Sequence, residues 1–233
     1  MFAKKIKNSI LILFLAVLYA GNAQQFYFET GVSNAFFKDY VNDSGENTLD
    51  LDYSKPIEPM FGGGFRFNIY KERIRLNIGS NYSKYKIKTG FYSGNISIPL
   101  TYNLSYFSIK TGVNFTVIRW KKLDFQIHSH ISHNWVVSGT SKYRDTVIDL
   151  YKEDTFDKTL FRYHFGIGLE YEISKNLSTY VSYDLGNSIV ESNRDSNQGE
   201  SYNLRTNSLS FGLLFSIEKK EDKKIENIEN ESE

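Results

Sequence analysis

The chain has no cysteine. That excludes a disulfide scaffold, a cysteine zinc site, a thiol nucleophile and a lipoprotein anchor, which needs a cysteine just behind its export signal. Net charge is almost absent too, at +1, so nothing in bulk argues for nucleic acid. Proline is scarce at 3 and tryptophan at 2, against 17 tyrosines and 18 phenylalanines. No G-x-S-x-G, H-E-x-x-H or phosphate-binding loop occurs. Gly62-Gly63-Gly64 is no phosphate cradle, because no helix follows it. Long apolar runs are lacking as well. Ile10 to Ala20 is the longest, and a spanning helix needs about 20 residues. Any residence of the mature chain in a membrane must therefore be by β-strands. The length of 233 residues allows one domain, at most two.

Residues 1–23 have the three parts of a secretory signal. Lys4, Lys5 and Lys7 form a positive start, the apolar run follows, and Gly21-Asn22-Ala23 is a small-x-small cleavage site. Cleavage is expected after Ala23. It would remove three of the 28 basic residues and no acid, leaving 25 basic against 27 acidic residues.

The rest alternates with period two. From Leu160 to Ser174 the odd positions are Phe161, Tyr163, Phe165, Ile167, Leu169, Tyr171 and Ile173, and the even ones include Arg162, His164, Gly166, Gly168, Glu170 and Glu172. A strand sorts such residues onto two faces, whereas a helix would scatter them. Leu209, Phe211, Leu213 and Phe215 alternate with Ser208, Ser210 and Gly212. Ile74, Leu76 and Ile78 alternate with Arg75 and Asn77.

Alternation alone fits a soluble sandwich with its apolar face inside, or a membrane barrel with its apolar face outside. Four features favour the barrel. The chain carries an export signal. Its strands run about 10–15 residues, and a tilted membrane strand needs about 9–11. The polar face is rich in Gly and Ser and mixes both charge signs, as a narrow lumen requires. Aromatics stand in pairs at strand ends (Phe36 and Phe37, Tyr82 and Tyr85, Tyr102 and Tyr106), where interfacial girdles would lie. The expected fold is all-β: an antiparallel up-and-down transmembrane β-barrel over residues 24–218. A charged, solvated tail follows at 219–233.

Nine runs are legible: 25–37, 57–70, 73–88, 95–104, 107–118, 123–138, 160–174, 177–191 and 206–218. A single-chain barrel needs an even number. Between 95 and 118 the apolar residues move from even positions (Ile98, Leu100, Tyr102, Leu104) to odd ones (Phe107, Ile109, Val113, Phe115). A β-bulge near Ser105 would explain this and merge two runs, giving eight strands; a turn there would require ten. With eight, the long polar connections 38–56, 139–158 and 192–205 fall at one end, and short turns at the other.

Ser210-Phe211-Gly212-Leu213-Leu214-Phe215-Ser216-Ile217 resembles the outer-membrane β-signal, with Gly212, Phe215 and Ile217 at its key places. The resemblance implies recognition by the barrel-assembly machinery. Asn95-Ile96-Ser97-Ile98-Pro99-Leu100, Phe165 to Tyr171 and Tyr183-Asp184-Leu185-Gly186 resemble the bacterial outer-membrane β-barrel domain family that includes PorT-like proteins. That implies the cell outer membrane and outer-membrane lipid around the barrel. An accessory role beside envelope or secretion-complex proteins would also fit.

Candidate chemistry lies on the inward face: Glu29, Arg66, Arg75, Lys110, Asp124, His128, His130, Arg162, Glu170, Glu172 and Asp184. Eight strands leave room only for side chains, so these are expected to pair and plug the lumen. His128 and His130 share a face with His164, and zinc accepts three imidazoles, but no established ligand spacing is present. Neither metal nor cofactor is expected. Phe161, Phe165, Ile167, Leu169, Phe211 and Phe215 are the expected lipid-facing residues. The reading is a non-enzymatic barrel of structural, binding or envelope-accessory type. A narrow porin-like channel is the alternative, and a barrel lipid hydrolase built on His128 and His130 is the more distant one.

Overall fold

The computed structural model describes residues 24–41, 54–71, 73–93, 95–153, 156, 158–189 and 201–217. Residues 1–23, expected as an export signal, residues 219–233, expected as a charged tail, and parts of all three long connections lie outside the described residues. The strands are β1 (Gln24–Val41), β2 (Ile57–Tyr70), β3 (Ile74–Ser93), β4 (Ile96–Trp120), β5 (Leu123–Tyr143), β6 (Thr146–Asp149), β7 (Thr159–Ser174), β8 (Leu177–Ser188) and β9 (Ser201–Ser216). No helix long and apolar enough to cross a membrane occurs among the described residues.

Eight strands close a ring in the order β1-β2-β3-β4-β5-β7-β8-β9 and back to β1, every pairing antiparallel. The short β6 stands outside the ring as a hairpin partner of the upper part of β5. Following the ladder once round, from Phe107 through Tyr82, Phe61, Thr30, Phe211, Val181, Leu169 and Phe125, returns to β4 at Ile118. That displacement of eleven residues is the stagger of a barrel with tilted strands. The turns after β2, β4 and β7 are short. Lys71 and Lys121 take φ of 42° and 55° there, the left-handed backbone of tight hairpins. The end that carries these turns is called the lower end.

The merged run is one strand, β4, but the expected bulge near Ser105 is not in it. Even-numbered side chains of β4 face inward from Ile98 to Thr116, without a break. The extra residue is Val137, across the ladder on β5: Ser105 pairs with Ser138 and Tyr106 with Val136. Below Val137 the even residues of β5 point in; above it, Gly139 and Ser141 do. What changes along β4 is the chemistry of the two faces.

The barrel therefore has two storeys. In the lower one the lumen is polar and the outer wall apolar. In the upper one a buried cluster of Tyr85, Ile87, Tyr102, Leu104, Tyr106 and Leu204, with others, fills the interior. Outside, at that height, Lys84, Lys86 and Lys88 replace the Ile74, Leu76 and Ile78 that β3 shows lower down. Two expectations are corrected here. Tyr85, Tyr102 and Tyr106 are core residues and not a girdle, while Tyr82 does lie on the outer wall, beside Phe61 at 5.2 Å between ring centres. The connection 139–158 is largely structured: upper β5 and β6 form a hairpin, and Leu150 and Phe156 fold inward onto the upper core. Backbone bonds from Leu150 N to Gly139 O (3.0 Å) and from Val136 N to Lys158 O (2.8 Å) hold that fold-back at the barrel mouth.

Candidate functional site

The lower lumen is built by one inward position in two along each strand, which stacks charged side chains in a space too narrow for water to separate them. Glu170 on β7 accepts from three donors: Arg66 Nη1 at 2.6 Å, Arg75 Nη1 at 3.0 Å and Gln126 Nε2 at 2.7 Å. Arg75 also reaches Asp124 at 3.1 Å, and Arg119, at the lower rim, grips the same carboxylate through Nε at 2.8 Å and Nη2 at 2.9 Å. Arg66 Nε donates to Asn77 at 2.9 Å; Asn77 bonds Asn114, which donates to Gln126 at 3.0 Å. The network spans β2, β3, β4, β5 and β7. Both guanidiniums and both carboxylates at its centre are buried, so each charge depends on its partners for solvation.

Above it, Lys110 pairs with Glu29, whose other oxygen accepts from Tyr180 Oη at 2.8 Å. His128 Nε2 meets Asp184 at 2.8 Å. Gly166 makes room for that pair: a Cβ there would lie 2.7 Å from the Asp184 oxygen and closer still to His128 Nε2. Higher again, Arg162 donates to Tyr85 Oη at 3.1 Å and to Thr206, and its guanidinium stands over the Tyr85 ring. It joins the polar lumen to the apolar core.

Ten of the eleven inward candidates lie on the lumen side of the wall, from Asp124 near the lower rim to Arg162 beneath the upper core. Glu172 is the correction: it has the inward parity, but it stands at the lower end of β7 beside the turn and is exposed. Arg119, Tyr27, Tyr180, Gln126, Asn77 and Asn114 belong to the same packing and were not singled out from sequence. Strand parity marks Tyr27 and Tyr180 as inward neighbours of Glu29; Arg119 sits at a turn, where parity carries no signal.

The three imidazoles do not converge. His128, His130 and His164 form a parallel column, with ring centres 6.1 Å and 4.6 Å apart and planes within 19° and 15°. Stacked rings turn π faces toward one another, whereas a tetrahedral ion needs ring nitrogens aimed at one point. Among the described residues no group of three or more potential ligands is placed to hold a metal ion. His133 points outward, against Trp135 and Phe161. A cavity of about 60 Å³ lies between the Lys110–Glu29 pair and His128. It has room for a few waters.

Phe161, Phe165, Ile167, Leu169, Phe211 and Phe215 are all exposed on the outer wall. On β7 this apolar row runs unbroken from Phe161 to Ile173. Twelve steps of about 3.3 Å, tilted by about 45°, give a belt about 28 Å tall. In the terminal strand Phe215 and Ile217 are exposed, while Gly212 faces in beneath Tyr180, whose ring occupies the place a Cβ would take.

The geometry defines a class: an eight-stranded antiparallel barrel whose lower storey is apolar outside and charged within. No family model and no curated protein matches the chain. Among solved structures it is similar to Ail, the attachment invasion locus protein of Yersinia pestis, at 11% identity and a TM-score of 0.42, over 83% of this chain and 98% of that one. It is also similar to Neisserial surface protein A, at 12% identity and a TM-score of 0.45, over 82% and 97%. OprG from Pseudomonas aeruginosa is similar at 10% identity and a TM-score of 0.43, over 85% and 98%.

Proposed function

We propose that this is an integral protein of the bacterial outer membrane, a sealed barrel whose work is done by its surfaces and not through its lumen. One observation carries the reading. The apolar face is outward over a belt of about membrane height and turns inward above it. A soluble sandwich would bury Phe165, Leu169 and Phe211; here they are exposed in one continuous band. Such a band in water would be an aggregation liability, and in hydrocarbon it is matched to its solvent.

Export by segment 1–23, with cleavage after Ala23, delivers the chain. Gly212, Phe215 and Ile217 are offered to the barrel-assembly machinery, and outer-membrane lipid covers the belt. The upper storey and the connections 38–56, 139–158 and 192–205 then face outward as the contact surface for envelope or secretion-complex proteins, the role a PorT-like relationship would give it. A diffusion channel is disfavoured by two seals in series, the Arg66–Glu170–Arg75–Asp124 network below and the apolar core above. A lipid hydrolase is disfavoured because His128 and His130 lie inside the wall, away from any lipid chain.

The test is reconstitution of the mature chain into planar bilayers and, separately, into plain buffer. The expected result is a folded, heat-modifiable barrel only in amphiphile, with no steady conductance. A monodisperse folded chain without amphiphile overturns the membrane reading. A steady conductance overturns the seal.

A further inference from the structure

On β3 the outward positions 84, 86 and 88 are all lysine, about 7 Å apart along the strand. Lys88 pairs across with Thr101, and Thr101 with Lys142 on β5, so Lys142 extends the same outer patch. Lys84, Lys88 and Lys142 are exposed and Lys86 half-exposed. Like charges this close lie within one Debye length and repel. Nothing among the described residues neutralises them: none of the four forms an ion pair there. Asp149 of β6, on the same outer face, is taken by Lys152 at 3.5 Å. The strand is nevertheless fixed, because Tyr85 and Ile87, between the lysines, are buried in the upper core.

The patch also has a defined height. Lys84 follows Tyr82 directly on the outer face, and Tyr82 pairs with Phe107, which stacks on Trp135 at 6.2 Å between ring centres. Aromatic rows of this kind mark the edge of a hydrocarbon layer. The lysines stand just beyond that edge, where a bilayer carries its headgroups.

We propose that Lys84, Lys86 and Lys88, with Lys142, bind the phosphate groups of anionic lipid packed against the barrel at the upper rim of its apolar belt. The proposal rests on the reading that the belt spans a membrane. It adds that this side of the wall, β3 to β5, selects its lipid neighbours. Each lysine near a phosphate surface favours the anionic lipid by about fivefold.

The experiment uses the full mature chain in phosphatidylcholine nanodiscs with a trace of spin-labelled phosphatidic acid or spin-labelled phosphatidylcholine. The motionally restricted fraction of each label is read. The expected result is a preference for phosphatidic acid of about fivefold or more. K84Q/K86Q/K88Q/K142Q brings it near parity, and K84R/K86R/K88R/K142R retains it. Parity in the wild type, with a restricted shell of both lipids present, overturns the phosphate site and leaves the membrane reading intact. A K84Q/K86Q/K88Q/K142Q barrel that keeps the full preference overturns it equally. Absence of any restricted shell overturns both. Inorganic phosphate added at constant ionic strength should leave the preference unchanged; if it abolishes it, the patch takes free phosphate and the lipid assignment falls.

Discussion

Strand β3 runs through both storeys without a bulge in its pairing to β4, yet its two ends are chemical opposites. At the bottom Ile74, Leu76 and Ile78 face out and Arg75 and Asn77 face in. Ten residues on, Lys84, Lys86 and Lys88 face out and Tyr85 and Ile87 face in. Geometry is the same at both levels, since period two is fixed by the pleat. What differs is the solvent each outer face is suited to. The lower wall is matched to hydrocarbon, so its lumen must hold the polar atoms and satisfy them internally. The upper wall is matched to water, so its interior is free to be the packed apolar core of an ordinary barrel. The two storeys hold together by different means: directed ion pairs below, hydrophobic burial above. Each can be broken without the other.

The largest effect is expected from Glu170→Ala in the lower storey. It strands Arg66 and Arg75, both buried, with Asp124 as the remaining central carboxylate. Removing one partner of a buried pair costs about 3–5 kcal/mol. Urea unfolding in vesicles should show that loss. Glu170→Gln, which retains an acceptor without the charge, should fall between the variant and the wild type. If the lumen has the two seals proposed, planar bilayers should still carry no current; a steady current through Glu170→Ala alone would mean that the two seals are one.

Leu204→Ala probes the other storey. Leu204 is fully buried in the upper cluster, and deleting such a side chain costs about 2–5 kcal/mol, depending on how far the site collapses. The damage should be local. Hydrogen exchange should quicken at the tops of β1, β3, β4 and β9 and stay unchanged at Glu170 and Asp124. Uniform loss of protection would contradict the division into storeys. Combined with Glu170→Ala, the substitution should open the current that neither produces singly.

How much of this was legible in the sequence follows from the same contrast. The row Phe161 to Ile173 could be read directly, because every second residue is apolar and nothing interrupts it. The inward charges were legible by parity, residue by residue. Their partners were not: Arg66 and Glu170 are 104 positions apart, and only the closure of the ring brings them together. The upper storey is hard to read in sequence for a definable reason. Movement of apolar residues from even to odd positions around Ser105 looks like a backbone irregularity in β4, whereas β4 continues unbroken and the environment inverts. Lys84, Lys86 and Lys88 alternating with Tyr85 and Ile87, on the strand that begins Ile74, Arg75, Leu76, Asn77, held the signal. Parity is conserved along that strand while polarity reverses, which a bulge cannot produce.

The smallest expected effects sharpen the comparison most, because they use one substitution at two heights. Leu169 stands on the outer wall about midway up the belt, and Asn103 stands on the outer wall of the upper storey; both are exposed. Leu169→Arg should cost about 2–4 kcal/mol, the penalty of a guanidinium near the middle of hydrocarbon. Asn103 lies directly across from Lys86, so Asn103→Arg should cost no more than about 1 kcal/mol, the repulsion of like charges at facing strand positions. Both are read by urea unfolding in the same vesicles. A soluble barrel would tolerate arginine equally at the two positions. A barrel immersed to its loops would reject it at both. A large cost at Leu169 beside a small one at Asn103 follows only if the hydrocarbon ends between them, near the Tyr82–Phe107–Trp135 row.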